Sequence, residues 1–141
     1  MKGRLKKMSL ITEFKNTAAE LGINKGDFYE ENGHGYTILS FSEIGEKKIM
    51  KTIPYNVTLI FYSNDNEVEI FVRKKIESKN IVQVFNQVNN LNAEYRGVTF
   101  YLEDTSVIIK SYVQTEDNIE KLLKQMVSQV DIAKEEFKKI K

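Results

Sequence analysis

Apolar residues recur along the chain with two periods, one of about 3.6 residues and one of two residues. The longer period is typical of amphipathic helices and marks three segments. The first follows Ser9 and stops at Gly22, the second follows Ser78, and the third follows Thr115. Serine and threonine are favourable N-caps, and glycine commonly ends a helix. The sequence therefore predicts three helices, of which the last, with apolar positions running to Ile140, is the longest.

The period of two predicts five strands, three before the second helix and two after it. The strands are expected at Tyr36–Glu43, Ile53–Phe61, Glu67–Arg73, Val98–Glu103 and Val107–Val113. Short polar turns separate the second strand from the third and the fourth from the fifth, which indicates two hairpins. The expected order is α-β-β-β-α-β-β-α, an α+β fold in which helices cover one face of an antiparallel sheet.

A chain of 141 residues has the size of one domain. We expect residues 9–141 to form it and residues 1–8 to be a flexible tail, with Met1 and Met8 both candidate start residues. Gly22 to Gly35 contains four glycines and is expected to be a loop, with a short turn around Asp27 to Glu31.

Composition excludes several classes of function. Cysteine is absent, so disulfides, thiolate metal sites and a cysteine nucleophile are excluded. The formal net charge of +1 argues against non-specific binding of nucleic acid. The basic start is not followed by a signal-length apolar run, and no window reaches the roughly 20 apolar residues of a membrane span. We expect a soluble, cytoplasmic protein without cofactor or metal.

Both faces of the predicted sheet carry apolar side chains. The row containing Tyr55, Val57, Leu59, Val68, Ile70, Phe100 and Ile109 is expected to meet the helices. The opposite row is expected to contain Leu39, Phe41, Ile60, Tyr62, Phe71, Tyr101, Ile108 and Tyr112. A face left fully in water is seldom that aromatic. We expect a homodimer or a client protein to cover it, although the chain's own Gly22 to Gly35 loop or a twisted sheet are alternatives.

The second helix contains four asparagines. A helical wheel places Asn86 and Asn90 in solvent, Asn89 at the margin of the apolar stripe, and Asn92 within it. Asn92 is therefore expected to bond the backbone and to tie the last helical turn to the segment leading into Val98. The alternative is that Asn89 and Asn92 together read a peptide or a small ligand.

The remaining polar candidates carry weaker signals. His34 is the only histidine and lies between two glycines, which favours an exposed loop residue over a metal ligand or a base. The basic run of Arg73, Lys74, Lys75 and Lys79, with Lys47, Lys48 and Lys51, is a candidate anion patch or simply a solvated strand end.

The element order and the segment VNNLNAEYRGVTFYLEDTSVIIKSYV resemble the YbjN family of bacterial proteins, whose description is "putative sensory transduction regulator". The part of the resemblance that is specific to this family consists of Asn89 and Asn92, a strand ending in an acidic turn, a second strand and a long amphipathic helix. One departure is that Asp104, Thr105 and Ser106 stand where the family's turn usually offers a glycine. The resemblance implies the fold of type III secretion chaperones and a chaperone-like or regulatory role, and it supplies no active site.

Together these observations predict a non-catalytic protein–protein interaction module. The alternative is a small-ligand or nucleic-acid and anion binder that uses the basic strand ends and the region of Asn89 and Asn92. An enzyme is disfavoured because no nucleophile, base or metal cluster stands out.

Overall fold

The computed structural model describes residues 2–21, 23, 28–42, 56–62, 67–76, 81–115 and 119–140. The helices are α1 (Lys2–Ala18), α2 (Ile81–Glu94) and α3 (Ile119–Glu136); short 3-10 turns, Ala19–Leu21 and Phe137–Lys139, follow α1 and α3. The strands are β1 (Tyr29–Gly33), β2 (Tyr36–Ser42), β3 (Asn56–Tyr62), β4 (Glu67–Lys75), β5 (Thr99–Glu103) and β6 (Ser106–Gln114).

The described strands form one sheet in the order β1-β2-β3-β4-β6-β5, with every neighbouring pair antiparallel. β4 and β6 are the adjacent strands that are not consecutive in the chain, because α2 and β5 intervene between them. β5 and β1 are the two edges of the sheet. This is the expected α+β fold with an antiparallel sheet.

All three helices lie on one face of the sheet, which we call the inner face. α3 packs on β4 and β6, α2 packs on β5, and α1 contacts α3. Phe14 of α1 also makes an edge-to-face contact with Phe61 of β3, with ring centres 5.9 Å apart. Burial of the strand residues that alternate towards these helices forms the core, as the period-two pattern predicted.

α3 is attached to the sheet by a buried polar side chain as well as by its apolar stripe. Gln129 is fully buried, and its amide nitrogen donates to the carbonyl oxygens of Ile70 in β4 and Ile109 in β6, each at 3.0 Å. The Ser111 hydroxyl donates to the Gln129 amide oxygen. The side chain of Gln129 therefore bonds both strands of the β4–β6 pair.

β1 is a sixth strand that the sequence pattern did not predict, since Gly22 to Gly35 was expected to be a loop. The strand reads YEENG, has no apolar alternation and is exposed along its whole length. Pairing with β2 forms it, and an ion pair between Lys15 of α1 and Glu30 adds a contact to the helices. The turn to β2 uses Gly35 at φ +80°, a conformation that glycine adopts without strain.

Two helices differ from their predicted forms. α1 begins at Lys2 and not after Ser9, so it includes residues expected to be a tail. The apolar positions after Ser78 predict a stripe that includes Ile81 and Phe85, but in α2 these residues are 49% and 56% exposed, and Val84, Val88 and Leu91 form the buried side. The reason is that α2 packs on the edge strand β5, so only part of its apolar stripe meets the sheet.

Some predicted features lie outside the described residues. These are the Ser78 cap, the turn at residues 63–66, the start of the second predicted strand with Tyr55, the lysines at 47, 48 and 51, and Lys79.

Candidate protein-binding face

Strand register defines a second face of the sheet, which points away from the helices and which we call the outer face. Ile60 lies opposite Glu69, Glu69 opposite Tyr112, and Tyr101 opposite Ile108. Alternation along each strand then places six of the eight predicted partner-binding residues on this face: Ile60, Tyr62, Phe71, Tyr101, Ile108 and Tyr112.

The other two predicted partner-binding residues, Leu39 and Phe41, lie on the inner face, so this part of the prediction was wrong. Leu39 pairs with Leu59 and Phe41 with Val57, and both predicted residues are buried, at 0% and 4% exposure. β2 has apolar residues on both sides of its alternation, so the strand's own pattern does not decide its orientation. Pairing with β3 decides it and places Ile38, opposite Ile60, on the outer face.

The outer face carries apolar side chains whose exposure to solvent varies from residue to residue. Tyr112 is 56% exposed, whereas Ile108 is fully buried. Ile38, Ile60, Tyr62, Phe71 and Tyr101 are half-buried. None of the three described helices lies on this face, because all of them pack on the inner side. Aromatic and aliphatic side chains therefore remain accessible around the middle of the sheet.

A charged cluster occupies the centre of the outer face. Glu69 is only 8% exposed, accepts a hydrogen bond from the Tyr62 hydroxyl, and pairs with the Lys110 ammonium at 3.1 Å. The same Lys110 nitrogen lies 4.9 Å from the ring centre of Tyr112 and 5.6 Å from that of Phe71, within the range of cation–π attraction. Each charge in this cluster has a partner, so the cluster does not depend on solvent for its hydrogen bonds.

The pKa values of the cluster follow from these contacts. Burial alone raises the pKa of Glu69, but the hydrogen bonds from Tyr62 and Lys110 and the charge of Lys110 outweigh it, so that pKa is lowered. The hydrogen bond to Glu69, assisted by burial, raises the pKa of Tyr62 to about 12. Interactions with Tyr112 and Glu69 raise the pKa of Lys110. At neutral pH the cluster is an ionised pair with a neutral tyrosine.

A shallow cavity of about 240 Å³ lies beside the cluster. It is lined by Asn56, Thr58, Ile60, Phe71, Arg73, Tyr101 and Glu103. Its lining combines apolar walls with an Arg73–Glu103 ion pair at 3.7 Å.

The side chain of Asn92 bonds the backbone of β5, beyond the segment leading into Val98 that was expected to be its partner. Its amide nitrogen donates to the Phe100 carbonyl oxygen, and its amide oxygen accepts from the Phe100 N–H, each at 2.7 Å. The helix runs two residues further, to Glu94, and Asn92 is exposed, so the expectation that it lies within the buried stripe was wrong. Asn89 is exposed and lies one turn away on α2. The amide nitrogen and the amide oxygen of Asn92 both bond the Phe100 backbone, which holds this side chain against β5.

The structure divides the predicted anion patch between the two faces. Arg73 and Lys75 are on the outer face, whereas Lys74 lies opposite Val107 on the inner face. Arg73 is paired with Glu103. The described members of the run therefore do not converge on one anion.

His34 lies exposed in the turn between β1 and β2, as expected for a loop residue. Within the described ranges, no three His, Cys, Asp or Glu side chains group as metal ligands. No described helix has the length and apolar character needed to cross a membrane.

A larger cavity, of about 630 Å³, lies on the helical side of the molecule. Its lining residues are Thr17, Glu20, Tyr95, Leu123, Lys124, Val127, Ser128, Asp131, Ile132 and Glu135. The Tyr95 hydroxyl donates to Glu136, which raises the pKa of Tyr95 to about 12. None of the residues predicted to bind a partner or a ligand lines this cavity.

Sequence reasoning missed Glu69, Lys110 and Gln129 as structural centres. Glu69 lies between Val68 and Ile70, and a charged residue between two apolar residues of a strand is typical of a solvent-facing position. Its burial comes from neighbours on β3 and β6 that are distant in sequence. For Gln129 a signal existed, because it falls on the same side of α3 as Met126 and Ala133.

No family model and no curated protein matches the chain. The structure is similar to the crystal structure of YbjN from E. coli, which its title calls "a putative transcription regulator". The match has 9% sequence identity and a TM-score of 0.44, and it covers 83% of this chain and 85% of that one. YbjN also names the family that the sequence resembles.

Proposed function

We propose that the protein is a non-catalytic protein–protein interaction module with a chaperone-like or regulatory role, and that it binds through the outer face. The observation that supports the proposal is the one-sided placement of the helices. They cover the inner face, whereas Ile60, Phe71, Tyr101 and Tyr112 stay at least partly accessible on the other side. Aromatic residues of this kind are enriched at the centres of protein interfaces.

The charged cluster is compatible with burial under a partner. Desolvating an unpaired charge would oppose binding strongly, but Glu69 is already buried and bonded to Tyr62 and Lys110. A partner that covers the face gains contact with the surrounding apolar side chains without having to supply new partners for Glu69. The cluster then sets the orientation of the partner more than its affinity.

The ionisable groups with shifted pKa values also support a non-catalytic role. Glu69 and Lys110 shift each other's pKa values, and the hydrogen bond to Glu136 shifts the pKa of Tyr95. In these pairs the perturbation arises from structural hydrogen bonds. A catalytic site would instead have a base or an acid directed at a substrate position.

The simplest partner to test is a second copy of the chain. We expect light scattering to give a mass near twice 16.4 kDa, with the outer faces in contact. Replacing Phe71 and Tyr112 by serine should return the mass to 16.4 kDa, because the change removes apolar contact area from the proposed interface. Circular dichroism of the same samples establishes that the double variant is folded.

Phe85→Ser is the matched control, since Phe85 on α2 has the same 56% exposure as Tyr112 but does not lie on the sheet. It should leave the dimer intact. A parent chain that stays monomeric at high concentration, or a dimer that tolerates the Phe71 and Tyr112 changes, would overturn the outer face as the self-association surface.

A further inference from the structure

The cavity of about 630 Å³ on the helical side has the size and the lining of a small-molecule site. Such sites usually have volumes of about 300 to 1,000 Å³ and mainly apolar walls. Here Leu123, Val127 and Ile132 of α3 supply aliphatic walls, and Tyr95, which follows α2, supplies an aromatic side chain. A helical polypeptide would fit poorly, because one turn of an α-helix fills roughly 500 Å³ and hardly more than one turn could enter.

The aromatic wall of this cavity is fixed from two sides. The Tyr95 hydroxyl donates to Glu136, a carboxylate with only 7% exposure, and the Tyr95 ring packs against Phe100 of β5 with ring centres 5.6 Å apart. Lys139 pairs with the same carboxylate at 3.4 Å. The wall is therefore ordered before a ligand arrives, which lowers the entropy cost of binding.

The charged residues in the described lining are mostly acidic. Glu20 after α1 and Asp131 and Glu135 of α3 carry carboxylates, and Lys124 carries an ammonium. At 1.5 Å per residue, Lys124 lies about 10 Å from Asp131 along the axis of α3, and Glu135 lies one turn further away. The Tyr95 hydroxyl bonds the residue that follows Glu135, so the α3 carboxylates are at the Tyr95 end of the lining and Lys124 is towards the other end.

These carboxylates are not held by strong contacts within the described part of the chain. None of the described residues forms an ion pair with Glu20 or Asp131. Glu135 pairs with Lys138 at 3.5 Å and with Lys139 at 3.7 Å, but all three side chains are more than half exposed, and exposed pairs contribute little. A cation in the cavity would be attracted by several carboxylates beside apolar walls, where water screens charge less.

We propose that this cavity binds a small organic amine, in which a protonated amino group is joined to an apolar body. The ammonium lies near Asp131 and Glu135, beside Tyr95, and the apolar body contacts Val127 and Leu123. Aromatic rings attract ammonium groups, which adds to the attraction of the carboxylates. The inference goes beyond the proposed function, because the cavity is on the helical side of the sheet and the outer face is on the other side.

Three probes of matched shape test the charge preference. Phenethylamine, phenethyl alcohol and hydrocinnamate each join a phenyl ring through two carbons to an ammonium, a hydroxyl or a carboxylate. Titration followed by amide NMR spectra should shift the signals of Val127, Ser128 and Asp131 with the amine. We expect the alcohol to bind about tenfold more weakly, because it lacks charge-assisted hydrogen bonds, and the carboxylate to bind more weakly still. Equal affinities for the amine and the carboxylate, or shifts confined to residues outside the lining, overturn the proposal.

Asp131→Asn removes one negative charge and nearly keeps the side-chain shape. It should weaken binding of the amine by about tenfold and leave the affinity for the alcohol unchanged. Glu120→Gln is the matched control, since Glu120 is an exposed acidic residue of the same helix outside the lining, and it should change neither affinity. An Asp131→Asn variant that binds the amine as tightly as the parent contradicts the proposed position of the ammonium.

Ser128→Trp tests the site without changing its charge. Ser128 is an exposed position of α3 in the lining, so the indole should fill the cavity and abolish binding of the amine, whereas Lys134→Trp, exposed and outside the lining, should retain it. Circular dichroism establishes that both variants are folded. Unchanged amine binding by Ser128→Trp overturns the proposal. The variant with serine at Phe71 and Tyr112 should bind the amine like the parent, so this inference and the outer-face proposal can fail separately.

Discussion

At the scale of single residues, the molecule concentrates its unusual electrostatics in the pair Glu69 and Lys110 with Tyr62. The pKa of Glu69 is lowered in the folded state, so its contribution to stability is complete above its unfolded value near 4.5 and is lost as the pH falls through the lower folded value. The pKa of Tyr62 is raised to about 12, so its contribution is complete below 10 and is lost as the pH rises towards 12. Stability should therefore decline at both ends of the pH range.

Tyr62→Phe tests this account. Removing a hydrogen bond to a buried carboxylate should lower the free energy of unfolding at pH 7 by about 1 to 3 kcal/mol, and it should weaken the decline between pH 10 and 12. Urea unfolding at several pH values measures both effects. Tyr29→Phe is the control, because Tyr29 is 64% exposed and its 3.4 Å bond to Glu31 lies at the surface. Equal losses in the two variants would contradict the account.

Asn92 shows how far residue-scale reasoning from sequence extends. Its bonding to the backbone was predictable, because asparagine near a helix end commonly bonds a nearby backbone group. The partner was not predictable, since Phe100 lies in β5 and the choice depends on the angle between α2 and that strand. The same limit applies to Glu69, whose partners come from strands on either side of its own.

At the scale of elements, α3 and the sheet are joined through Gln129. Gln129→Leu keeps the volume roughly constant but leaves the Ser111 hydroxyl and the carbonyls of Ile70 and Ile109 without the amide. We expect a loss of about 2 to 4 kcal/mol in the free energy of unfolding. Gln125→Leu, at a half-buried position of the same helix, should change it by less than about 0.5 kcal/mol.

A double-mutant cycle sharpens this test. If Ser111 is bonded to Gln129 in solution, adding Ser111→Ala to Gln129→Leu should cost less than it does in the parent, because the hydroxyl has already lost its acceptor. Strict additivity of the two changes would indicate that the contact contributes little.

Elements were predictable where their apolar pattern has a single period. α3, β4 and β6 have such patterns, and the structure places them as expected. β1 was missed because its five exposed residues carry no pattern and the strand forms only by pairing with β2. β2 was assigned the wrong orientation because both sides of its alternation are apolar, so that only register with β3 separates Leu39 from Ile38.

At the scale of the whole molecule, the layering follows from the order of elements. Two groups of strands, each adjacent to a helix, predict helices on one side of an antiparallel sheet. The sequence also indicated that the sheet has a second apolar side. It did not indicate that this side contains a buried carboxylate, because the burial of Glu69 beside Lys110 arises only when β3, β4 and β6 are assembled.

The β4–β6 pair has a consequence for how the chain acquires its structure. The other strand pairs join strands that are consecutive in the chain. Pairing β4 with β6 instead closes a loop that contains α2 and β5, and closing this longer loop costs the most chain entropy. Gln129 bonds both of its strands, so it can engage only after they have met. We expect Gln129→Leu to accelerate unfolding and to leave the refolding rate nearly unchanged in stopped-flow measurements. Slower refolding would show that the two halves of the sheet meet before the rate-limiting barrier, with α3 guiding them together.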